Sequence, residues 1–101
     1  MSSSCLLNLV VSPEVQSKVT DWLLEHASVS GFSSHPVAGH GSSEQSMSLA
    51  EKVAGTRRQV LFKLELPCEE ADALLAEIRV AFAGSGMHFW VMPVLQSGHL
   101  D

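Results

Sequence analysis

The stretch RRQVLFKLELPCEEADALLAEIRVAF, residues 57–82, changes its hydrophobic period at Pro67. Before the proline, every second residue is apolar, which predicts a strand with one buried face. After it, apolar residues recur at three- and four-residue spacing, which predicts an amphipathic helix over 68–82. The predicted buried residues of this helix are Ala71, Leu74, Leu75, Ile78 and Phe82. A strand that leads directly into a helix is therefore the first unit of the predicted fold.

The segments on either side repeat that unit. Residues 5–11, CLLNLVV, predict a strand that is apolar on both faces, and Ser12-Pro13 begins a predicted helix over 13–26. GFSSHPVA, residues 31–38, predicts a weaker strand, and Pro36 places it at a sheet edge or a bulge. AGSG (83–86) ends the second helix, and MHFWVMPV (87–94) predicts the last strand.

The element order βαβ, loop, βαβ predicts an α+β, ferredoxin-like βαββαβ fold. It has a four-stranded antiparallel sheet with two helices on one face. We expect residues 1–101 to form a single domain, with a long loop over 39–56 between the second and third strands. The face away from the helices would carry Leu6, Val10, Leu61, Trp90 and Met92. A second copy of the chain is the simplest cover for that face, so we expect an oligomer.

Composition narrows the function classes. The formal net charge is −5, which argues against nucleic acid, since nucleic-acid binding needs a concentrated basic face. No apolar run approaches the length of a membrane span, and no secretory signal is evident, so we expect a cytoplasmic protein without membrane insertion. The two cysteines do not make a disulfide framework. Cys5 reads as a small core residue, and Cys68, near the second helix start, as a tolerated small residue or a redox or metal thiol.

Several runs of the sequence resemble a known family. They are DWLLEH (21–26), SGFSSHPVAGHGSS (30–43), SLAEKVAGTRRQV (48–60) and GMHFWVMPV (86–94). Together, over residues 5 to about 97, they resemble the PII and CutA trimeric signal proteins. More narrowly, they resemble short bacterial PII-like proteins known only as a domain of unknown function, often encoded beside heavy-metal efflux pumps. The resemblance implies a homotrimeric regulatory protein in signal transduction and metal resistance, with an efflux transporter as its partner.

The sequence departs from PII proteins at two places. PII proteins hold nucleotide phosphates in a glycine- and lysine-rich loop, whereas AGSGMH (83–88) contains no lysine or arginine. The modified PII proteins carry a tyrosine on the long loop, and this chain has no tyrosine. Arg57 and Arg58, with Gly84 and Gly86, are the candidate residues for binding an anion. They define the alternative function, a nucleotide or small-molecule sensor that uses the cleft between subunits.

A transition-metal effector is the leading hypothesis for the long loop or the cleft. The candidate ligands are His35, His40, Met47 and His88, and the candidate ions are Cu, Zn, Co and Ni. His35 and His40 are five residues apart, so a regular strand would point them to opposite faces. The glycines around His40, or a neighbouring chain, could complete a site. The alternative is that these histidines are ordinary strand and loop residues.

Catalysis finds little support in the sequence. There is no nucleophile elbow and no convincing serine, histidine and aspartate arrangement. Glu69 and Glu70 are adjacent acids, but they open the second helix, where they favour its dipole. His88 is the best candidate for a small isomerase-like site and ranks low, because a fold does not imply a function. We therefore predict that the protein is not an enzyme.

Overall fold

The structure, a computed structural model, describes residues 3–41 and 55–101. Four strands and two α-helices succeed one another along the chain: β1 (Ser4–Val11), α1 (Gln16–Glu25), β2 (Ser33–Gly39), β3 (Arg57–Pro67), α2 (Cys68–Ala81) and β4 (His88–Val94). The order is that of the predicted βαββαβ fold, and the strand and helix bounds agree with the prediction to within two or three residues. The predicted loop begins where β2 ends and stops where β3 begins, although 42–54 lie outside the described residues.

The four strands form one antiparallel sheet in the order β2-β3-β1-β4. Residues that face each other across antiparallel strands share a face of the sheet. Val10 on β1 faces Leu61 on β3 and His88 on β4, and Leu61 faces His35 on β2. His35, Leu61, Val10 and His88 therefore lie in one cross-strand row, on the face that carries the even-numbered residues of β1.

Both helices cover the opposite face. One contiguous core contains the buried side chains of the sheet and of both helices. Its sheet members are Leu7, Leu9, Val11, Val60, Phe62, Leu64 and Leu66, and its helical members are Val19, Leu23, Ala71, Leu74, Leu75 and Ile78. The alternation predicted for β3 and the apolar stripe predicted for α2 are thus both confirmed, except that Phe82 is only half-buried at the helix end.

The first predicted helix is divided in two. Residues Pro13–Val15 form a 3-10 turn, and the α-helix begins only at Gln16 and ends at Glu25. Ser12 has the extended backbone of a cap residue, but its side chain makes no capping hydrogen bond. A turn of this kind is common at helix starts, because it tightens the first backbone hydrogen bonds. The chain thereby turns sharply between the end of β1 and α1.

Both edge strands contain a proline. Pro36 lies in β2 and Pro93 in β4, and these strands are the two edges of the sheet. The prediction that Pro36 marks an edge strand is confirmed. Proline has no N–H to donate to a neighbouring strand, so it is tolerated only where that donor would point away from the sheet.

The two cysteines are joined, which corrects the prediction that they are separate. Cys5 and Cys68 form a disulfide with their Cα atoms 5.0 Å apart, and Cys68 donates its backbone N–H to Ser3 at 2.9 Å. Cys5 is the second residue of β1 and Cys68 the first residue of α2, so the fold brings together two residues 63 positions apart. Cys68 therefore has no thiolate to offer a metal while the bond is intact. The cytoplasmic location stays a prediction, and the bond counts against it, since disulfides are rare in the reducing cytosol.

No helix or strand of the described ranges 3–41 and 55–101 packs over the second sheet face, hereafter the open face. Trp90 and Met92 on this face are 37% and 47% exposed. Asn8, in contrast, is buried at the centre of the face, where its side-chain amide donates to the Leu6 carbonyl at 3.2 Å. The C-terminal segment crosses one corner, where the Ser97 hydroxyl donates to the Glu65 carboxylate. Leu61 and Asn8 are thus buried within one chain, whereas Trp90 and Met92 at the β4 edge of the open face remain exposed.

Candidate functional site

A cavity of about 420 Å³ lies at the end of the sheet where β1 ends and β3 and β4 begin. We call it the rim cavity. Its lining residues are Val10, Ser12, Pro13, Glu14, Arg57, Arg58, Gln59, Ser85 and Gly86. They come from three separate segments of the chain, which meet because β1 is antiparallel to both β3 and β4. The volume falls within the range of about 300–1,000 Å³ typical of small-ligand pockets.

The first wall of the rim cavity is the beginning of β3. Arg57 and Gln59 share the open face with Val10, whereas Arg58 lies on the helix side, so the cavity extends around the end of the sheet. Gln59 lies across from Val37 on β2. Its side-chain amide lies over Gly39, two residues further along the same strand. A Cβ at position 39 would collide with that amide oxygen, so the Gln59 side chain can occupy this position only because residue 39 is a glycine.

The second wall is the turn between α2 and β4. Gly84 and Gly86 both have positive φ, of 80° and 76°, a conformation that residues with a Cβ rarely adopt. Between them, Ser85 donates its backbone N–H to the Phe82 carbonyl at 3.1 Å, and its hydroxyl accepts from the Met87 N–H at 3.2 Å. These bonds hold the Ser85 hydroxyl at the edge of the cavity, where its oxygen can also face a ligand.

The rim cavity is positive in a chain that is negative as a whole. Two of the six lysines and arginines, Arg57 and Arg58, line it against one carboxylate, Glu14. Each guanidinium is planar and can donate two parallel hydrogen bonds to a phosphate or a carboxylate. With the hydroxyls of Ser12 and Ser85, the cavity presents mainly hydrogen-bond donors. Its chemistry therefore suits a small anion or an anionic group of a larger ligand.

The structure brings together three of the four predicted anion-binding residues. Arg57, Arg58 and Gly86 line the rim cavity, whereas Gly84 lines a smaller neighbouring cavity of about 190 Å³. That cavity is mostly apolar, and the guanidinium of Arg79 lies over the Phe89 ring beside it, 4.9 Å from the ring centroid.

Sequence reasoning missed the third wall of the rim cavity. Ser12 and Glu14 belong to the turn that follows β1, and they line the cavity opposite the arginines. The signal was present in the predicted topology. In a ferredoxin-like sheet, the first strand ends at the same end of the sheet at which the third and fourth strands begin. The segment Ser12-Pro13-Glu14 therefore had to lie beside Arg57.

Among the predicted metal ligands that the structure describes, His35 and His88 do not meet within one chain. His35 and His88 share the cross-strand row on the open face, but they lie on its two opposite edges. Three strand spacings separate them by about 14 Å, far more than the bonds of about 2 Å that two imidazoles make to one ion. His40 follows β2 at an exposed position, and Met47 lies outside the described residues. Residues 3–41 and 55–101 contain no group of three potential histidine, cysteine or carboxylate ligands.

Two histidines have other surroundings. His88 packs against Trp90 on the open face, with ring centroids 5.7 Å apart. His26 links the helices, with Nε2 2.8 Å from the Glu77 carboxylate and Nδ1 accepting the Ser28 backbone N–H at 3.2 Å. Since Nδ1 accepts, the proton of the neutral ring is on Nε2, which donates to Glu77. His26 is thus a structural residue that joins the two helices.

A family model described as "Protein of unknown function (DUF3240)" matches residues 1–101 of the chain. No curated protein matches it. Among solved structures, a DUF3240 family protein from Shewanella baltica OS155 is similar over 100% of both chains, with 26% identity and a TM-score of 0.80.

A second solved structure is similar over 98% of this chain and 97% of its own, with 20% identity and a TM-score of 0.69. It is CPII, a nitrogen regulatory PII-like protein from Thiomonas intermedia K12, bound to ADP, AMP and bicarbonate. This likeness confirms the predicted ferredoxin-like, PII-like fold. None of the helices in 3–41 and 55–101 is both long and apolar enough to cross a membrane.

Proposed function

We propose that this chain, which belongs to the DUF3240 family of proteins of unknown function, is a PII-like regulatory protein whose effector is a small anion bound in the rim cavity. The observation that carries the proposal is the meeting of Arg57 and Arg58 with the Ser85-Gly86 turn in one cavity. Binding, rather than catalysis, is the proposed activity. The fold supports a regulatory role, since the similar protein CPII is nitrogen regulatory.

The charge of the rim cavity indicates the class of effector. The described lining residues supply two guanidinium groups and one carboxylate, an excess of one formal positive charge among them, and the glycine turn carries no lysine. A nucleoside monophosphate or diphosphate, or a small carboxylate, fits this excess better than a triphosphate, whose charge would be poorly matched. CPII was solved with ligands of this kind, ADP, AMP and bicarbonate.

A thermal-shift screen tests the effector class. The ligands are AMP, ADP, ATP, bicarbonate and inorganic phosphate, each added in excess to the purified protein. A ligand at about 100 times its Kd adds about 2.7 kcal/mol to the free energy of unfolding, which shifts the Tm of a domain this size by about 10 °C or more. If none of these anions shifts the Tm, the proposed effector site is wrong.

We also propose that three copies assemble through the open face. Both faces of the sheet carry large apolar side chains, but the helices cover only one of them. An assembly around the open face would bury Trp90 and Met92, and it would bring a neighbouring chain beside the rim cavity, because Val10 belongs to both regions. The effector would then lie between subunits and could report on their arrangement.

Sedimentation equilibrium checks the trimer. The native protein should sediment at three times the 10.9 kDa of one chain at micromolar concentration. Met92→Lys, which puts a charge on the open face, should give a monomer, because an unpaired buried charge opposes association strongly. Val80→Lys, on the exposed surface of α2, is the matched control and should remain trimeric. A native monomer would contradict the assembly.

A transition-metal effector with a heavy-metal efflux transporter as partner is the second candidate. The observation that favours it is that His35 and His88 both lie exposed on the open face, one at each edge, where neighbouring copies would adjoin. Two or more chains would supply the ligands, since residues 3–41 and 55–101 of one chain bring no three of them together. The resemblance to proteins encoded beside efflux pumps supports the choice of partner.

Isothermal titration calorimetry with Cu, Zn, Co and Ni tests the metal candidate. If it holds, the native protein binds at least one of these ions, and His35→Ala and His88→Ala each weaken binding at least tenfold, the expected effect of losing a ligand or its support. His26→Ala, on the helix side of the sheet, is the control and should bind as the native protein does. Equal binding by all variants would place any bound metal elsewhere.

A further inference from the structure

The helix layer carries the whole net charge of the chain. We define it as residues 13–26 and 68–82, which contain α1 and α2. Its acids are Glu14, Asp21, Glu25, Glu69, Glu70, Asp72 and Glu77, and its bases are Lys18 and Arg79. Seven carboxylates against two cations give −5, the same as the formal charge of the full sequence. The charged residues of the remaining segments balance one another in number.

The bases do little to neutralise the exposed surface of that layer. The guanidinium of Arg79 lies over the Phe89 ring, 4.9 Å from its centroid, and is thereby directed toward β4 and the end of the sheet. Lys18 is the remaining cation of the layer. A concentration of one sign of charge attracts ligands of the opposite sign and raises their rate of association.

An apolar groove crosses this acidic surface between the two helices. It has a volume of about 480 Å³ and is lined by Trp22, Ala76, Glu77, Val80 and Ala81. Trp22 is fixed there by an edge-to-face contact with Phe82, at 5.8 Å between ring centroids. Val80, in contrast, is 80% exposed and touches little of its own chain.

One acidic side chain, that of Asp72, continues the exposed apolar row of α2. Asp72, Ala76 and Val80 follow each other at four-residue spacing, so they lie in one row along the helix surface, and all three are exposed. Glu77 lies beside this row and holds His26 at 2.8 Å. A ligand whose apolar group rests between Val80 and Trp22 would therefore meet a carboxylate one or two helical turns away.

We infer that this groove docks a cationic segment of a partner protein, with one apolar side chain of that segment anchored between Trp22 and Val80. Charge complementarity selects the occupant: a second copy of this chain would bring its own acidic layer and be repelled, whereas lysines and arginines flanking an apolar residue match both the charge and the groove. Cytoplasmic loops of membrane proteins are rich in such residues. The inference goes beyond the effector site, since the rim cavity takes no part in it.

Fluorescence anisotropy with synthetic peptides tests the docking surface. The probe is a labelled amphipathic peptide of about 18 residues made of lysine, leucine and alanine, long enough to form a helix on binding. Two comparison peptides have the same composition in scrambled order or glutamate in place of lysine. We expect the amphipathic lysine peptide to bind several-fold more tightly than the scrambled one, the glutamate peptide not to bind, and binding to weaken as salt is raised from about 50 to 300 mM.

Paired variants locate the binding on the groove. Val80→Ser removes the apolar anchor and should weaken binding about tenfold, the value of burying one valine-sized side chain, whereas Leu95→Ser alters an equally exposed residue of the C-terminal segment and should change little. Asp72→Lys should weaken binding about tenfold at low salt, whereas Asp101→Lys makes the same charge change at the chain end with a smaller effect. All four positions are exposed, so the variants should keep the native Tm.

Three results would overturn the inference. One is equal binding of the ordered and scrambled lysine peptides, because attraction to net charge alone would explain it. Another is an equal loss within each variant pair, which would place the binding off the groove. The third is no binding at low salt. None of these results bears on the rim cavity. Effector binding there is measured separately, by the thermal shift with nucleotides and other anions.

Discussion

Reducing the bond between Cys5 and Cys68 is expected to lower the free energy of unfolding by about 4 kcal/mol. The bond closes a loop between residues 63 positions apart, and closing a loop of that length removes about this much conformational entropy from the unfolded chain. Small domains have total stabilities of only about 5–15 kcal/mol, so the reduced protein would be marginal. Urea unfolding with and without dithiothreitol measures the difference.

The double variant Cys5→Ser/Cys68→Ser is the control for this prediction. It should unfold at the midpoint of the reduced protein, and dithiothreitol should not shift it further. Thiol titration of the native protein, purified without reductant and unfolded in urea, should find no free thiol. Two free thiols, together with a midpoint that dithiothreitol leaves unchanged, would show that the bond is not formed in solution.

Replacing either arginine of the rim cavity is expected to weaken effector binding by about tenfold to a hundredfold. Hydrogen bonds from a charged donor to an anion contribute about 1.5–3 kcal/mol each, and Arg57→Ala or Arg58→Ala removes such donors without disturbing the core. Titration calorimetry with the anion that gives the largest thermal shift measures the Kd of each variant.

Conservative and distant substitutions separate recognition from net charge. Arg58→Lys keeps the charge but loses the planar pair of donors, so it should recover only part of the affinity. Lys63→Ala removes one exposed positive charge from β3, six residues and about 20 Å along the strand from Arg57, and should leave the Kd within about twofold, since exposed charges are screened over about 8 Å at physiological salt. Comparable losses for Lys63→Ala and Arg57→Ala would indicate a general charge effect and no specific site.

The fold was predictable because its signals are local. The two periods on either side of Pro67, and the glycines at 84 and 86 that end α2, each depend on a few neighbouring residues. The start of α1 was less predictable. Ser12 and Pro13 are good signals for a helix start, but the chain uses them for a 3-10 turn that closes the rim cavity.

The features that sequence reasoning missed depend on contacts between distant segments. Nothing near Cys5 indicates Cys68 as its partner, and only the register of β1 against β3 places the first residue of α2 beside the first strand. The cavity lining was half predictable, since Arg57 and Gly86 stand out by residue type whereas Glu14 does not. The positions of His35 and His88 on opposite edges follow from strand order, which alternation alone does not determine.

The prolines of the two edge strands limit how the sheet can grow. Pro36 and Pro93 each remove one donor from the outward-facing row of backbone groups at an edge. If a strand of another molecule paired with either edge, one carbonyl of that strand would find no N–H donor at the proline. This missing hydrogen bond disfavours open-ended, fibre-like stacking. The chain can therefore keep an apolar open face for closed assembly while both of its edges resist aggregation.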